Sequence, residues 1–189
     1  MKYTHITEII GNTPLLEIGE HIHGVPNLRL YAKLEYMNPF GSVKDRAVWG
    51  MLRGDIEDLK EKNKTIIEMS SGNTAKAIQG IAGTFGIPFK TITNRIKVDE
   101  VRDILQIMGT TIQELPGKSD CHDPNDPNDP LVYIHRELEQ DKEKKFFTSQ
   151  YDNQKNLDEH YRTTGAEILQ DLPRVDYYFG GLGTTGSSR

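Results

Sequence analysis

The chain has 189 residues, of which 35% are hydrophobic and 27% charged, and its net charge is −5. That length accommodates one substantial α/β domain or two small lobes, and the negative balance argues against a general nucleic-acid binder, which carries a basic face. The single cysteine, Cys121, excludes an internal disulfide and fits a reducing compartment. No apolar h-region follows Met1-Lys2-Tyr3-Thr4-His5, and no apolar run approaches the roughly 20 residues of a membrane span. A cytoplasmic location is expected. An anionic ligand stays compatible with the charge, because backbone N–H groups can hold a phosphate locally.

In chain order, short apolar runs alternate with helical patterns, which predicts a parallel sheet covered by helices. Leu28 to Leu34 reads as an early strand. From Arg46 to Lys60 the apolar residues Val48, Leu52, Ile56 and Leu59 recur at helical spacing. Thr65 to Met69 is a β-branched strand that runs into the turn Ser70-Ser71-Gly72-Asn73, and Thr74 to Phe85 is the helix after it. The unit repeats with a strand at 89–93, a helix at 98–108 and a strand at 110–115. Between Gly117 and Pro130 the rhythm breaks. There Asp123-Pro124-Asn125-Asp126-Pro127-Asn128-Asp129-Pro130 repeats turn-forming residues and predicts an exposed loop. A helix over 131–139, the solvated charge run Asp141 to Lys145, a short strand over 146–148, a helix over 157–169 and a buried strand over 175–179 complete the pattern. The division expected is a smaller α/β lobe over 41–147, with 1–40 and 148–189 forming part of a second, larger lobe. A Gly-rich turn after a strand normally opens a helix, so the end at Gly180 to Arg189 reads as that of a chain incomplete relative to a full enzyme.

Three motifs carry chemistry. In Asn38-Pro39-Phe40-Gly41-Ser42-Val43-Lys44-Asp45-Arg46 a turn delivers Lys44 to a helix start. The positive end of a helix dipole lowers a lysine pKa and favours the neutral amine, the form that condenses with a carbonyl. An exposed first-turn lysine is the structural alternative, and the missing glycine before it excludes a Walker A loop. Ser70-Ser71-Gly72-Asn73-Thr74 gathers hydroxyls, an amide and N–H groups at a strand-to-helix turn. It can hold a carboxylate or simply cap the helix. Gly181-x-Gly183-x-x-Gly186 follows the last predicted strand and matches the dinucleotide fingerprint; more generally it is a phosphate cradle with hydroxyls from Thr184, Thr185, Ser187 and Ser188. Asp120, Cys121, His122 and Asp123 make a poor metal set, since two adjacent residues rarely reach one ion. His21 and His23 read as a surface pair, Trp49 as core, and His160 and Tyr161 as packed or capping residues.

Taken in order, these motifs resemble the cysteine synthase and cystathionine β-synthase family. The resemblance is carried by Ile10-Gly11-Asn12-Thr13-Pro14-Leu15, Lys33-Leu34-Glu35, the Asn38 to Arg46 run, Ile67 to Thr74, Gln150-Tyr151-Asp152-Asn153 with Asn156 and His160-Tyr161, and Gly183 to Ser187. It covers essentially the whole chain apart from the loop 117–130.

The resemblance implies a two-lobed, three-layer fold of type II among enzymes that use pyridoxal 5′-phosphate (PLP), a homodimer, and β-replacement on an O-activated L-serine. Cysteine synthesis from O-acetylserine and sulfide heads the expected reactions. Lys44 would be the Schiff-base lysine and the acid/base at the substrate Cα. Asn73 would bond the cofactor ring hydroxyl. Ser70, Ser71, Thr74 and Gln150 would take the substrate α-carboxylate, and Gly183, Thr184, Thr185, Gly186 and Ser187 the cofactor phosphate. No metal is expected. O-phosphoserine as substrate, another nucleophile giving a cystathionine- or diaminopropionate-type product, and a non-catalytic binding remnant stay open. The departures are Thr185 where the family's Gly-Thr-Gly-Gly-Thr loop has glycine, Ala75 where glycine follows the Asn-Thr core, and Ser70 where threonine is common. A β-branched residue at position 185 is strained if φ is positive there. The family also continues past this loop, with the polar contact to the pyridine nitrogen in the later segment.

Overall fold

A computed structural model describes residues 2–117 and 122–188. Near the start, β1 (Leu15–Ile18), the single helical turn α1 (Glu20–His23) and β2 (Leu30–Lys33) follow one another, and the two strands pair antiparallel with Leu15 opposite Lys33. Strand β1 has no counterpart in the sequence reading, because Leu-Leu-Glu-Ile lacks the alternation that marks a half-buried strand. Then come α2 (Lys44–Leu52), α3 (Ile56–Glu61), β3 (Thr65–Met69), α4 (Asn73–Thr84), β4 (Phe89–Thr93), α5 (Asp99–Ile107), β5 (Thr111–Glu114), α6 (Pro130–Gln140), β6 (Lys145–Phe147), α7 (Gln154–His160) and α8 (Ala166–Asp171).

Strands β3 to β6 form one parallel sheet in the order β5-β4-β3-β6. Alternate residues of each strand point to opposite faces, and this sorts the core into two layers. Ile66 and its register partner Phe89 pack with Val48, Met51 and Leu52 of α2, Ile78 and Ile81 of α4 and Leu105 of α5. On the other face Ile67, Ile92 and Leu115 pack against Ile134 of α6. Helices therefore cover both faces, the three-layer arrangement of a parallel α/β sheet.

Several boundaries differ from the sequence reading for identifiable reasons. The helix expected over 46–60 is divided, since Gly54, a poor helix former, and Asp55 end α2 and let α3 restart. The helix expected over 157–169 is α7 and α8 joined by a π-helical segment, Tyr161–Gly165, where Thr163 Oγ1 donates back to the Glu159 carbonyl at 2.7 Å. The strand expected over 175–179 does not form. Among the described residues no strand lies beside it to take its backbone hydrogen bonds, and Tyr177 and Phe179 are 81% and 86% exposed. The early strand begins at Leu30 rather than Leu28, and Leu28 is exposed.

Helix α2, which opens with Lys44, is held against α7 by close backbone approach. A Cβ added at Gly50 would sit 2.6 Å from Glu159 Cβ and 2.9 Å from the Lys155 carbonyl oxygen. Gly50→Ala is expected to cost about 1–3 kcal/mol by forcing the two helices apart, read as a lower urea midpoint; an unchanged midpoint would count against this packing.

Candidate functional site

Parallel sheets place ligands outside the carboxyl ends of their strands, and here that edge opens into a cleft of about 450 Å³. Every strand of the sheet feeds it. The β3 exit supplies Met69 to Thr74, the β4 exit Thr93, Asn94, Arg95 and Lys97, the long β5–α6 connection His122, Asp129 and Pro130, and the β6 exit Gln150 and Tyr151. Lys44 and the pair Gly183 and Thr184 complete the lining.

Lys44 is the first residue of α2, and the turn before it is fixed by Asp45, whose Oδ2 accepts the Phe40 N–H at 2.6 Å. Asp45 is fully buried, which raises its carboxyl to about 6. Lys44 Nζ has no hydrogen-bond or ion-pair partner among the described residues, and burial lowers its pKa. The direction is the one the sequence reading attributed to the helix dipole; the cause is desolvation. A Cβ at Gly183 would lie 3.9 Å from Lys44 Nζ, so the amine faces the Gly-rich segment directly.

The β3–α4 turn is braced from inside. Ser70 Oγ accepts the Ala75 N–H at 3.0 Å, and Thr91 of β4 donates its hydroxyl to the Ser70 carbonyl. Gln150 spans the floor: its Oε1 accepts the Thr74 hydroxyl at 2.8 Å, and its Nε2 donates to the Met69 carbonyl at 2.9 Å. Beneath it, the buried Glu68 carboxylate accepts from the Thr148 hydroxyl and from the Gln150 N–H at 3.2 Å, and burial raises its pKa to about 7. Ser71 and Asn73 line the cleft directly.

The segment 183–187 is only partly in the lining. Gly183 and Thr184 reach the cleft, whereas Thr185, Gly186 and Ser187 do not. Asn156 anchors it, donating Nδ2 to the Gln150 carbonyl and to Thr184 Oγ1, both at 3.0 Å. Gly186 packs so close that a Cβ would meet Asn156 Oδ1 at 2.4 Å. Thr185 sits at φ 62, the left-handed conformation for which glycine is the usual residue. Its Oγ1, like Asn156 Oδ1, is buried without a partner among the described residues.

Other residues singled out from sequence fall elsewhere. His160 is buried, bonded through Nδ1 to Thr164 Oγ1 at 2.9 Å, and lowered to about 4 by burial and then by the Lys44 charge. Tyr161 is 81% exposed and is the C-cap residue of α7, so of the packed or capping role read for it only the capping one stands. Asp120 and Cys121 lie outside the described residues, and His122 pairs with Asp129 at 3.0 Å. The sequence reading passed over Asn94, Arg95 and Lys97 as a loop between elements; the signal that finds them is topological, since they follow a strand adjacent to β3.

The family model described as pyridoxal-phosphate dependent enzyme matches residues 6–188. A cysteine synthase of Flavobacterium sp. is 31% identical over 188 residues, covering 98% of this chain and 58% of that protein. The N-(2-amino-2-carboxyethyl)-L-glutamate synthase of Cupriavidus metallidurans is 32% identical over 190 residues, covering 99% of this chain and 54% of that protein. The crystal structure of O-acetyl serine sulfhydrylase isoform 3 from Entamoeba histolytica matches with a TM-score of 0.83 at 27% identity, covering 99% of this chain and 55% of that one. The chain thus spans between 54% and 58% of the length of these relatives.

Proposed function

The chain belongs to the pyridoxal-phosphate dependent enzymes, and from that premise we propose that it serves β-replacement on an O-activated L-serine, with cysteine synthesis from O-acetylserine and sulfide as the reference reaction. Its fold is that of the type II enzymes of this cofactor, and the cofactor of the family is pyridoxal 5′-phosphate. The observation that carries the reading is the meeting of a half-buried lysine, unpaired among the described residues, with a Gly-rich, hydroxyl-bearing segment in one cleft. The division into two lobes and a homodimeric assembly belong to the same reading, by likeness to the family. Among the described residues no helix is long and apolar enough to cross a membrane.

The residues present fit the cofactor. Segment 183–187 offers its phosphate a glycine cradle, and the buried Thr185 hydroxyl, unpartnered among the described residues, is a donor in want of an acceptor. Asn73 is assigned to the ring hydroxyl and Lys44 to the carbonyl carbon. When bound, the cofactor supplies an electron sink for the charge that develops at the substrate Cα.

The chain's own residues do the rest. Ser70, Ser71, Thr74 and Gln150 receive the α-carboxylate at the N-terminal end of α4, where unpaired N–H groups and the helix dipole favour an anion. Lys44 Nζ removes the Cα proton and returns it after replacement. The ester oxygen leaves Cβ with its bonding pair, and the acceptor's lone pair forms the new Cβ bond. Glu68, itself bonded by the Thr148 hydroxyl, holds Gln150 at its backbone N–H, so the carboxylate site rests on buried supports rather than on a free loop. The test is a spectral titration of the PLP-loaded chain with O-activated serines, followed by assay of the released leaving group; a loaded chain unresponsive to any of them would sink the reading.

The strained residue makes its own prediction. Thr185→Gly removes a left-handed threonine and an unpartnered hydroxyl, against the greater backbone entropy of glycine. The chain without cofactor is expected to gain about 1 kcal/mol in denaturant unfolding, while its affinity for PLP falls. A variant less stable than the parent would contradict the strain.

A further inference from the structure

We propose that His122, held by Asp129 in the cleft, is a second catalytic base. It takes the proton that a thiol or amine acceptor sheds as the acceptor bonds to Cβ. The assignment rests on the function proposed above and names the acceptor class within it: a neutral nucleophile that still carries its proton.

Topology brings two helix heads to one cleft. Helix α6 follows β5 and leads back to β6, so it begins at the carboxyl edge of the parallel sheet. It packs through Ile134 with Ile67 and Ile92 on one face, whereas α2 packs with Ile66 and Phe89 on the other. Lys44 opens α2, and Asp129 caps the first turn of α6. Both Lys44 and the His122–Asp129 pair line the cleft. The lysine and the imidazole therefore reach it from helix layers on opposite faces of the sheet.

The pair also fixes which ring nitrogen is the base. Asp129 is buried, and its oxygens are shared out. Oδ1 takes His122 Nδ1 at 3.0 Å and the Leu131 N–H at 2.8 Å, while Oδ2 accepts the Asp123 N–H at 2.9 Å. Burial acts to raise the Asp129 carboxyl, but the Asp123 N–H and the His122 ring hold it below the usual carboxylate range. An ionised carboxylate only accepts, so Nδ1 carries the hydrogen and the neutral ring keeps its lone pair on Nε2. A carboxylate that orients an imidazole in this way prepares it as a general base. The His122 side chain is 49% exposed, so it can pass the proton on to water.

Proton balance supplies the need. Once Lys44 has taken the Cα proton it is an ammonium, and it stays one until it returns that proton. The ester oxygen leaves as an anion with its bonding pair and requires no proton. A neutral acceptor then forms its bond to Cβ with a lone pair, and its proton must go to another base. Among the described residues lining the cleft, His122 carries the one imidazole, and Asp129 is engaged as above. The other polar side chains there are hydroxyls, amides and cations, which are poor proton acceptors.

The experiment uses the full chain loaded with PLP, with O-acetyl-L-serine as donor, and compares two acceptors in the parent and in His122→Gln. Azide is an anion with no proton to lose, and 2-mercaptoethanol is a neutral thiol. Product formation by the variant is expected to fall by about 100-fold or more with the thiol, the usual worth of a positioned base, and by less than about threefold with azide. The donor-induced change in PLP absorption is expected to match the parent's. A readout apart from turnover comes from nitrogen-15 NMR of the chain without cofactor under alkaline conditions, where the His122 ring is expected as the Nδ1–H tautomer. Equal losses with both acceptors, no loss with the thiol, or an Nε2–H tautomer overturns the inference. So does a parent that joins azide but no thiol to Cβ, or a variant that loses the donor response, since His122 would then serve the structure of the site. A loaded parent that responds to no donor at all is a different failure, because it removes the proposed function and this inference with it.

Discussion

Lys44→Ala is expected to abolish the borohydride-fixable attachment of pyridoxal phosphate to the chain. The reason is local and chemical. An ordinary surface lysine is almost wholly protonated at neutral pH, and each unit by which a pKa falls raises the free-amine fraction about tenfold. Lys44 is lowered by burial at the head of α2 and has no carboxylate beside it among the described residues to restore the charge. It also faces Gly183 in the segment that offers glycines and hydroxyls to a phosphate. Proximity and protonation state therefore select the same amine. The substitution removes no hydrogen bond of the described structure, so stability is expected to change by less than about 1 kcal/mol, and the variant should fold normally while failing to fix the label. Fixation at full yield on another lysine of the variant, with the parent labelled on that same residue, would displace Lys44 from its role.

The largest effect on stability is expected at Arg46, two residues further on and turned the other way. Its guanidinium is fully buried and donates to Glu35 Oε2 through Nε at 2.8 Å, to Glu167 Oε1 through Nη1 at 2.6 Å and to Glu167 Oε2 through Nη2 at 2.7 Å. Lys33 Nζ reaches the same Glu167 at 2.7 Å, and Thr13 adds its hydroxyl to the cluster. One side chain thus joins α2 to the segment before β1, the turn after β2 and helix α8. Arg46→Ala leaves Glu35 without its cation and Glu167 with Lys33 alone, which costs about 3–5 kcal/mol and should lower the calorimetric midpoint by on the order of 10 °C for a chain of this size. A fall of less than about 2 °C would mean that the network adds little.

The same cluster sets an acid dependence. Glu167 is held down to about 2 by its partners Arg46 and Lys33 against the opposing effect of burial. Its contribution is therefore present above the ordinary carboxylate value of 4.5 and is lost as pH falls from there toward 2. Glu68 and Asp45, raised by burial to about 7 and about 6, act in the opposite sense and favour the fold less as pH rises through those values. In Arg46→Ala the Glu167 part of the acid loss should shrink, with the share held by Lys33 and the Asn12 N–H remaining.

Much of this was legible in the sequence because it is local. Strand β3, the Ser70–Gly72 turn and helix α4 were read within a residue of their observed bounds, since a β-branched run, a cluster of turn formers and a helical period meet there without competition. The strain at Thr185 was also readable as a condition, and the φ of 62 meets it. What escaped was set by partners distant in sequence. The run 175–179 looks like a strand to its own residues, but strand formation needs a neighbour. Asn156 showed only as part of a resemblance, and its position between Gln150 and Thr184 is a tertiary fact. Arg95 and Lys97 look like ordinary loop charges until the strand order places their loop beside the Ser70 turn.

The measurement that bears most directly on the account is a titration of the purified chain with pyridoxal phosphate, read as a visible Schiff-base band, fixed with borohydride and mapped by peptide mass. The account predicts a saturable band at one equivalent and a single labelled peptide containing Lys44. No saturable band, or label spread over surface lysines with Lys44 unmodified, would contradict it.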